Sequence, residues 1–493
     1  MMSRSKERQD EIITTSLEQL IPQEHFLRKL KATVSFDFIY DIMAPLYSDR
    51  GRPSIDPVIL IKMLLIGYLY NIDSERRLEE EARYNMAYRW FLGLSLDAPV
   101  PDHSTISQNR RRRFHGRDVF REIFEKIVEK CAAAGLVQGE RVVMDSTHIK
   151  ANADNRNSQW VGVIKTPQAY WDELGVAELP AEGTLKSKNP CDPEAGYMNR
   201  TGKPKGFHYL DHQCSDADTG IILDVFVTGG NVQDCECCTE RFQYLKEKKG
   251  YPIREAGLDS GYDTIAIHFG LTRLGVAAYI PPFRRGARDG RLSGEKFQWE
   301  PEKDRYVCPN GCELTFRGVW MTKGVPMRNY VSCQTDCGNC PKRNKCVTDK
   351  TTVRKIRRHP CQEFMEAGRT RVGSYAYRSV LRRRQAVCEG NFGLQKRCHN
   401  LRFTRKRGIE NVLEQCLLSA TALNLKRLVK GLSLSRVPGG MSAISALPTR
   451  DFAVFTTLIL ACVSLRGGTA SAGAFCQQTQ IAKPDLSRIN HLG

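Results

Sequence analysis

The chain has 493 residues, enough for about two to four domains with a sizeable buried core. Lys and Arg number 74 against 55 Asp and Glu, and the net charge of +19 favours nucleic acid as a partner over an anionic membrane surface. The opening residues are polar, and the longest apolar stretches, Pro57–Ile72 and Phe452–Leu465, are shorter than the roughly 20 residues of a membrane helix. The 18 cysteines are therefore expected to be metal ligands or small core residues rather than disulfides.

The first 116 residues have a helical pattern and are expected to form an all-helical DNA-binding domain, followed by a connecting helix within residues 117–140. Pro57–Ile72 predicts an apolar helix, and Glu75–Phe91 predicts a charged helix with apolar residues at helical spacing. Ser104 or Thr105 is expected to cap a short helix that runs into four arginines. That helix can enter a DNA groove or follow phosphates; the alternative is a solvated basic helix. The arginines are Arg110, Arg111, Arg112 and Arg113.

Residues 141–430 predict an α/β domain with a mixed sheet and flanking helices. Strand, hairpin, helix, strand, helix and strand follow one another, which is typical of a mixed sheet. The expected strands are 141–145, 255–258 and 276–280, the hairpin is 207–227, and the helices are 238–248, 378–397 and 409–429. Residues 155–204 predict an irregular excursion, and the tail 431–493 carries no motif that indicates a role.

A cysteine-rich and basic insertion, at about residues 283–362, interrupts this pattern. Four of its cysteines have a spacing compatible with a tetrahedral Zn²⁺ site, in which four thiolates would leave no open position and the metal would be structural. The alternative is a set of small core cysteines. The expected zinc ligands are Cys308, Cys337, Cys340 and Cys346, with Cys312 and Cys333 nearby in the sequence.

Two aspartates follow predicted buried strands. Asp145 comes after the apolar residues 142–144, and Asp259 comes after residues 256–258 and before Gly261, which permits a sharp turn. A carboxylate at the end of a buried strand is costly unless it is paired or binds a cation. For Asp145 alone, a strand-end cap is the favoured interpretation, but the repeated arrangement at Asp259 indicates a shared site.

A third carboxylate, Glu389, lies on the helix predicted at 378–397. Arg382 and Lys396 are seven positions away on either side, which is close to two helical turns and places all three on one face. Gly393, four residues on, leaves room beside the carboxylate. The alternative is a solvated charged helix with ion pairs.

Three carboxylates on separate elements can converge on two divalent cations. Carboxylate oxygens suit Mg²⁺ or Mn²⁺. Two such ions can activate an attacking oxygen and stabilise the leaving oxygen of a phosphodiester. Asp145, Asp259 and Glu389 are therefore the expected metal ligands and catalytic residues.

The chain resembles the DDE transposases of bacterial insertion sequences over roughly residues 15–430. The resemblance implies a ribonuclease-H-like fold and Mg²⁺-dependent cutting and joining of DNA, with Lys396 contacting a phosphate near the cut. It also implies double-stranded DNA partners (terminal inverted repeats and target), a homodimer in the paired-end complex, and a cytoplasmic, nucleoid-associated location in bacteria. The similar segments are 51–58, 102–107, 145–153, 231–234, 259–263 and 389–396, followed by Arg402 and Arg407-Gly408.

The sequence departs from the pattern just before the glutamate. Some related branches carry Tyr seven and Arg four residues earlier, where this chain has Arg382 and Gln385. A displaced role for Arg383, Arg384 or Tyr377 stays open. Two other functions also stay open: a catalytically inactive DNA-binding protein derived from a transposase, and a simple nuclease that cuts without joining.

Overall fold

A computed structural model describes residues 14–48, 50, 54–154, 159–165, 182–200, 202–283, 292–322, 325–347 and 351–435. The apolar run 452–465, most of the tail and part of the 51–58 segment lie outside these residues. Much of the expected excursion at 155–204 lies outside them too. Within the described part of the chain, no helix is both long and apolar enough to cross a membrane.

The N-terminal part is helical, as expected. The expected single helix over 75–91 is wrong, because the Asn85 side chain accepts the backbone N–H groups of Ala87 and Tyr88 and starts a new helix there. The helix predicted to run into the four arginines is α-helical as far as Asn109, and the arginines themselves lie in a wider π-helical turn over 110–114. The helices are α1 Leu17–Leu20, α2 Phe26–Thr33, α3 Phe38–Met43, α4 Pro57–Leu69, α5 Glu75–Tyr84, α6 Met86–Leu92, α7 His103–Asn109 and α8 Val119–Ala133.

The central sheet of the described residues has six strands. Its strands are β1 Arg141–Lys150, β4 Gly196–Met198, β5 Gly206–Asp216, β6 Ile222–Gly229, β7 Glu255–Gly257 and β8 Ala277–Tyr279, while β2 Gln159–Lys165 and β3 Glu182–Lys188 pair separately. The β5–β6 hairpin lies antiparallel beside β1, and β7 and β8 continue parallel to β1 on its other side. The predicted hairpin and mixed sheet are confirmed.

The insertion folds as a second sheet, which the sequence did not predict. The helices α9 Cys238–Gln243 and α10 Ile265–Arg273 precede it. Its antiparallel order is β13-β12-β11-β10-β9, and five side chains form its own small core: Phe297, Tyr306, Leu314, Tyr330 and Ile356. The elements are β9 Gln298–Glu300, β10 Arg305–Val307, β11 Glu313–Thr322, β12 Val325–Ser332, α11 Gln334–Gly338, β13 Lys355–Arg358 and α12 Gln362–Arg369.

Two long helices complete the described chain. The first is α13 Tyr375–Cys398, which packs against β1 and β7. Its N-cap residue is Ser374, whose side chain accepts the Tyr377 N–H. Val387, Cys388 and Phe392 form its contact with Val143 of β1. The second, α14 Ile409–Ser435, packs against α8, β6 and α4. The main apolar core runs from the N-terminal helices through the sheet to α14.

Candidate active site

Asp145 lies on β1, and Asp259 lies two residues after the end of the neighbouring parallel strand β7. Val143 of β1 pairs with Gly257 of β7, and each aspartate follows two residues after its member of this pair. Asp145 does not end its strand, as the sequence suggested, because β1 continues along β5 as far as Lys150. It lies just beyond the point where β7 stops pairing with β1.

The guanidinium of Arg384, on α13, joins the two carboxylates. Its Nη2 atom lies 2.5 Å from Asp145 Oδ2 and 3.6 Å from Asp259 Oδ2. The Arg384 side chain is 16% exposed and that of Asp145 is 18% exposed, so the ion pair is well shielded from solvent. The two aspartates therefore form one acidic site beneath α13.

Electrostatics distinguish Asp145 from an ordinary surface carboxylate. Burial raises its pKa to about 6; the charge of Asp259 adds to the rise and that of Arg384 opposes it. Asp234, which belongs to the 231–234 segment, also raises the pKa of Asp145 and is ion-paired with Arg200 at 3.0 Å. A concentration of negative charge of this kind requires a compensating cation.

Glu389 lies one residue after the buried Cys388 and is itself exposed. Burial raises the pKa of the Cys388 thiol well above its ordinary value, and the charges of Asp145, Asp259 and Glu389 add to that rise. This turn of α13 therefore lies beside the aspartate pair. Among the described residues, the carboxylate oxygens of Asp145, Asp259 and Glu389 do not all lie within 4.8 Å of one another.

The donor set suits hard divalent cations. Carboxylate oxygens are the ligands that such cations prefer. The guanidinium shared by Asp145 and Asp259 neutralises part of their negative charge, and a bound metal would neutralise the rest. The Cβ atom that Gly393 lacks would meet nothing within 4 Å, so the space expected near Glu389 is open. Asp145, Asp259 and Glu389 are thus the residues that could hold Mg²⁺ or Mn²⁺.

Lys396 lies two turns along α13 and bonds to β1 just past Asp145. Its Nζ donates to Thr147 Oγ1 at 2.6 Å and to the His148 carbonyl at 3.1 Å. Burial lowers the pKa of Lys396, and the buried carboxyl of Asp211 opposes this change. The amine is therefore fixed near the acidic site.

The four arginines of the π-helical turn differ in environment. Arg110 is only 10% exposed and is ion-paired with Glu75 and, at 2.6 Å, with Glu414 of α14, so its guanidinium is occupied within the protein. Arg113 donates to Ser54 and Asn109 and is half-buried. Arg111 and Arg112 are exposed, and they are the two that a phosphate could reach.

Five cysteines of the insertion surround one small cavity of about 20 Å³. The four expected zinc ligands are among them, and Cys312 is the fifth. Cys333 is exposed, and its Sγ lies 3.0 Å from the Thr335 hydroxyl instead. In this described part of the insertion, no three of the five sulfur atoms all lie within 4.8 Å of one another.

A different group, between α5 and α7, has its oxygen and nitrogen atoms within 4.8 Å of one another: Glu79, Asp102 and His103. His103 Nδ1 lies 2.9 Å from Glu79, and Glu79 is also ion-paired with Arg83 at 2.8 Å. Arg76 Nε donates to His103 Nε2 at 3.3 Å. These contacts within the protein account for the group as a structural network.

Sequence reasoning left Arg384 unassigned and did not examine Asp263 as a structural residue. Arg384 is five residues before Glu389, a spacing that puts the two on different sides of a helix, so only the packed structure shows its role. Asp263 closes the 259–263 motif, and its carboxylate lies 2.9 Å from His268 Nε2 and 2.7 Å from Arg369 Nη2. The positions of Arg and Lys in the sequence could not indicate the contacts of Arg384 with the aspartates or of Asp263 with Arg369.

Two family profiles match parts of the chain. The family profile described as transposase domain (DUF772) matches residues 15–112, and the one described as transposase DDE domain matches residues 307–429. The matches confirm the resemblance to DDE transposases of the insertion-sequence type, and the class of protein they indicate is a DNA transposase.

One solved structure that the chain resembles is a piggyBac transposase synaptic complex with hairpin DNA, determined by cryo-EM. The identity is 11%, the match covers 92% of this chain and 88% of that one, and the TM-score is 0.31. Similarity at this level does not establish a common fold.

Proposed function

We propose that this protein cuts DNA at the ends of an insertion sequence and joins the freed 3′-hydroxyl groups to target DNA. The observation that carries the proposal is the acidic pair, Asp145 and Asp259, which lies where the parallel strands β1 and β7 stop pairing and is bridged by an arginine of the helix that bears Glu389. A structural cap would explain one of these carboxylates, but not two that share a cation.

The chemistry consists of two phosphoryl transfers. In the first, water attacks a phosphodiester at the element end, and the 3′-oxygen leaves as a hydroxyl. In the second, that hydroxyl attacks a target phosphodiester, and a target 3′-oxygen leaves. Divalent ions bound to the three carboxylates would lower the barrier by activating the attacking oxygen and stabilising the leaving oxygen.

The chain's own residues would position the DNA. Lys396 is fixed by Thr147 and His148 close to Asp145, where its charge can hold a backbone phosphate next to the cut. The exposed Arg111 and Arg112 would contact phosphates of the terminal repeat. Paired ends would require two copies of the chain, so a homodimer forms part of the proposal.

The test uses the purified full chain, duplex oligonucleotides that carry the element ends, a supercoiled plasmid and Mg²⁺. We expect joined products from the unaltered protein and none from Asp259→Asn or Glu389→Gln. Glu302→Gln, in the exposed 3₁₀ turn of the insertion, is the matched control and should join normally. Equal joining by the unaltered protein and both active-site variants would overturn the assignment.

A further inference from the structure

The cavity cysteines of the insertion differ in burial from the core cysteines of the described chain. Those that fill cores, such as Cys214, Cys238 and Cys416, are 0–1% exposed. The five cysteines around the insertion cavity are all only partly buried, and none forms a disulfide. Partly exposed thiols gain little from apolar packing, so packing alone does not explain why five of them, from two separate segments, line one cavity.

Cys308 is held as a ligand would be. Its sulfur accepts the backbone N–H groups of Asn310 at 3.4 Å and of Cys312 at 3.3 Å. The turn that makes this possible passes through Gly311, whose φ of +81° favours glycine. These two contacts fix the position of the Cys308 sulfur beside the cavity.

Basic side chains fasten the two cysteine segments together around the cavity. Lys342 Nζ donates to the Pro309 carbonyl at 2.8 Å and so links the β10–β11 turn to the segment after α11. Arg343 donates to the Cys337 carbonyl at 3.1 Å, and Arg354 donates to the Cys346 carbonyl at 2.8 Å. Arg343 and Arg354 line the cavity, and their charges would offset part of the net negative charge of a metal held by four thiolates, to which the lining Asp336 adds.

We propose that Cys308, Cys337, Cys340 and Cys346 bind one structural Zn²⁺ ion in this cavity. Its volume of about 20 Å³ suits a single small occupant. Cys308 and Cys346 both pack against the core of the insertion sheet, which fixes two ligands on its inner side. Cys337 and Cys340 supply a C-x2-C pair from α11 and the turn after it, a spacing common among zinc ligands.

Cys312 is the fifth thiol and is left out of the ligand set. Its sulfur lies 4.0 Å from the Asn310 carbonyl, and its backbone N–H supports Cys308. Zn–S bonds of about 2.3 Å require sulfur atoms roughly 3.8 Å apart, so rotation of the ligand side chains must close the site further. The ion would then join the β10–β11 turn to the β12–β13 connection of a sheet whose core has five residues.

The metal content of the purified full chain tests this inference independently of DNA joining. We expect about one Zn²⁺ per chain, and Co²⁺ substitution should give the absorption of a tetrahedral thiolate complex. Cys340→Ser and Cys346→Ser should lose the bound zinc, while Cys312→Ser and the exposed Cys333→Ser should keep it.

Three results would overturn the proposal. The first is a chain that purifies without zinc and shows no thiolate absorption with Co²⁺. The second is retention of zinc by both Cys340→Ser and Cys346→Ser. The third is loss of zinc on Cys312→Ser alone, which would reject this ligand set. Because the Co²⁺ spectrum is recorded on the unaltered chain, a variant that fails to fold does not obscure the outcome.

Discussion

Removing the guanidinium of Arg384 would leave the two active-site aspartates without the cation that bridges them. Arg384→Met preserves most of the side-chain length and its apolar contacts beneath α13 while it removes the charge. The partner change, Asp145→Asn, removes the negative charge of the ion pair with little change in volume. Together with the double variant, these proteins form a thermodynamic cycle that isolates the Arg384–Asp145 interaction.

The expected magnitude follows from the burial of the pair. Removing one partner of a buried ion pair costs about 3–5 kcal/mol, and the low end applies here because some solvent reaches both groups. With Arg384 and Asp145 at 16% and 18% exposure, we expect Arg384→Met to lower the free energy of unfolding by about 3 kcal/mol. The coupling energy should be about 2 kcal/mol, because the double variant leaves no uncompensated charge on Asp145.

Urea unfolding at pH 8 with a chelator present measures the four free energies. The control is Arg382→Met on the exposed face of the same helix, where the guanidinium donates to the Arg378 carbonyl at 3.3 Å. Its effect should stay within about 0.5 kcal/mol. A coupling energy between Arg384 and Asp145 below about 0.5 kcal/mol would refute the view that this arginine holds the acidic site together.

Three further predictions concern other parts of the structure. Arg110→Ala should lower thermal stability, because Arg110 forms ion pairs with Glu75 and Glu414 on other elements. The double variant Arg111→Ala, Arg112→Ala should instead weaken DNA binding in a gel-shift assay and leave thermal stability unchanged, because both side chains are exposed. The opposite pattern would contradict this division of roles. Gly257→Ala should cost about 1–3 kcal/mol in urea unfolding, because the new Cβ would lie 2.8 Å from a side chain of α13, and an unchanged midpoint would rule out this close approach. Burial raises the pKa of Asp263, but hydrogen bonds outweigh this effect and bring the pKa to about 2, below the ordinary 3.8. The ionised carboxylate therefore stabilises the fold fully above pH 3.8, and this stabilisation declines as the pH falls toward 2. The difference in unfolding free energy between the unaltered protein and Asp263→Asn should shrink by about 1 kcal/mol between pH 5 and pH 3, and a constant difference would argue against the shift.

Local pattern was enough to predict the central sheet. The strand before Asp259, the hairpin and the helix with Glu389 each have a clear periodicity, and the structure confirms all three. Asp145 was expected at a strand end because the apolar run stops there. The strand continues because pairing with β5, a contact between segments about 65 residues apart, carries it to Lys150.

Long-range contacts account for most of what the sequence did not show. Arg110 appeared to belong to a continuous basic surface, but Glu414, which turns it inward, lies far away in the chain. Arg384 reaches the aspartates because α13 packs closely over Gly257, whose missing side chain leaves room for Val380. The insertion sheet escaped prediction because most side chains of β11 are exposed, so its pattern lacks the usual apolar alternation.

The most direct test of the central claim is strand joining by cysteine variants of the three carboxylates in two metals. Asp145→Cys, Asp259→Cys and Glu389→Cys should lose joining in Mg²⁺, which binds thiolates poorly, and should recover part of it in Mn²⁺, which accepts them more readily. Recovery in Mn²⁺ would identify each residue as a metal ligand. Full joining by all three variants in Mg²⁺ would contradict the assignment of Asp145, Asp259 and Glu389 as the catalytic site.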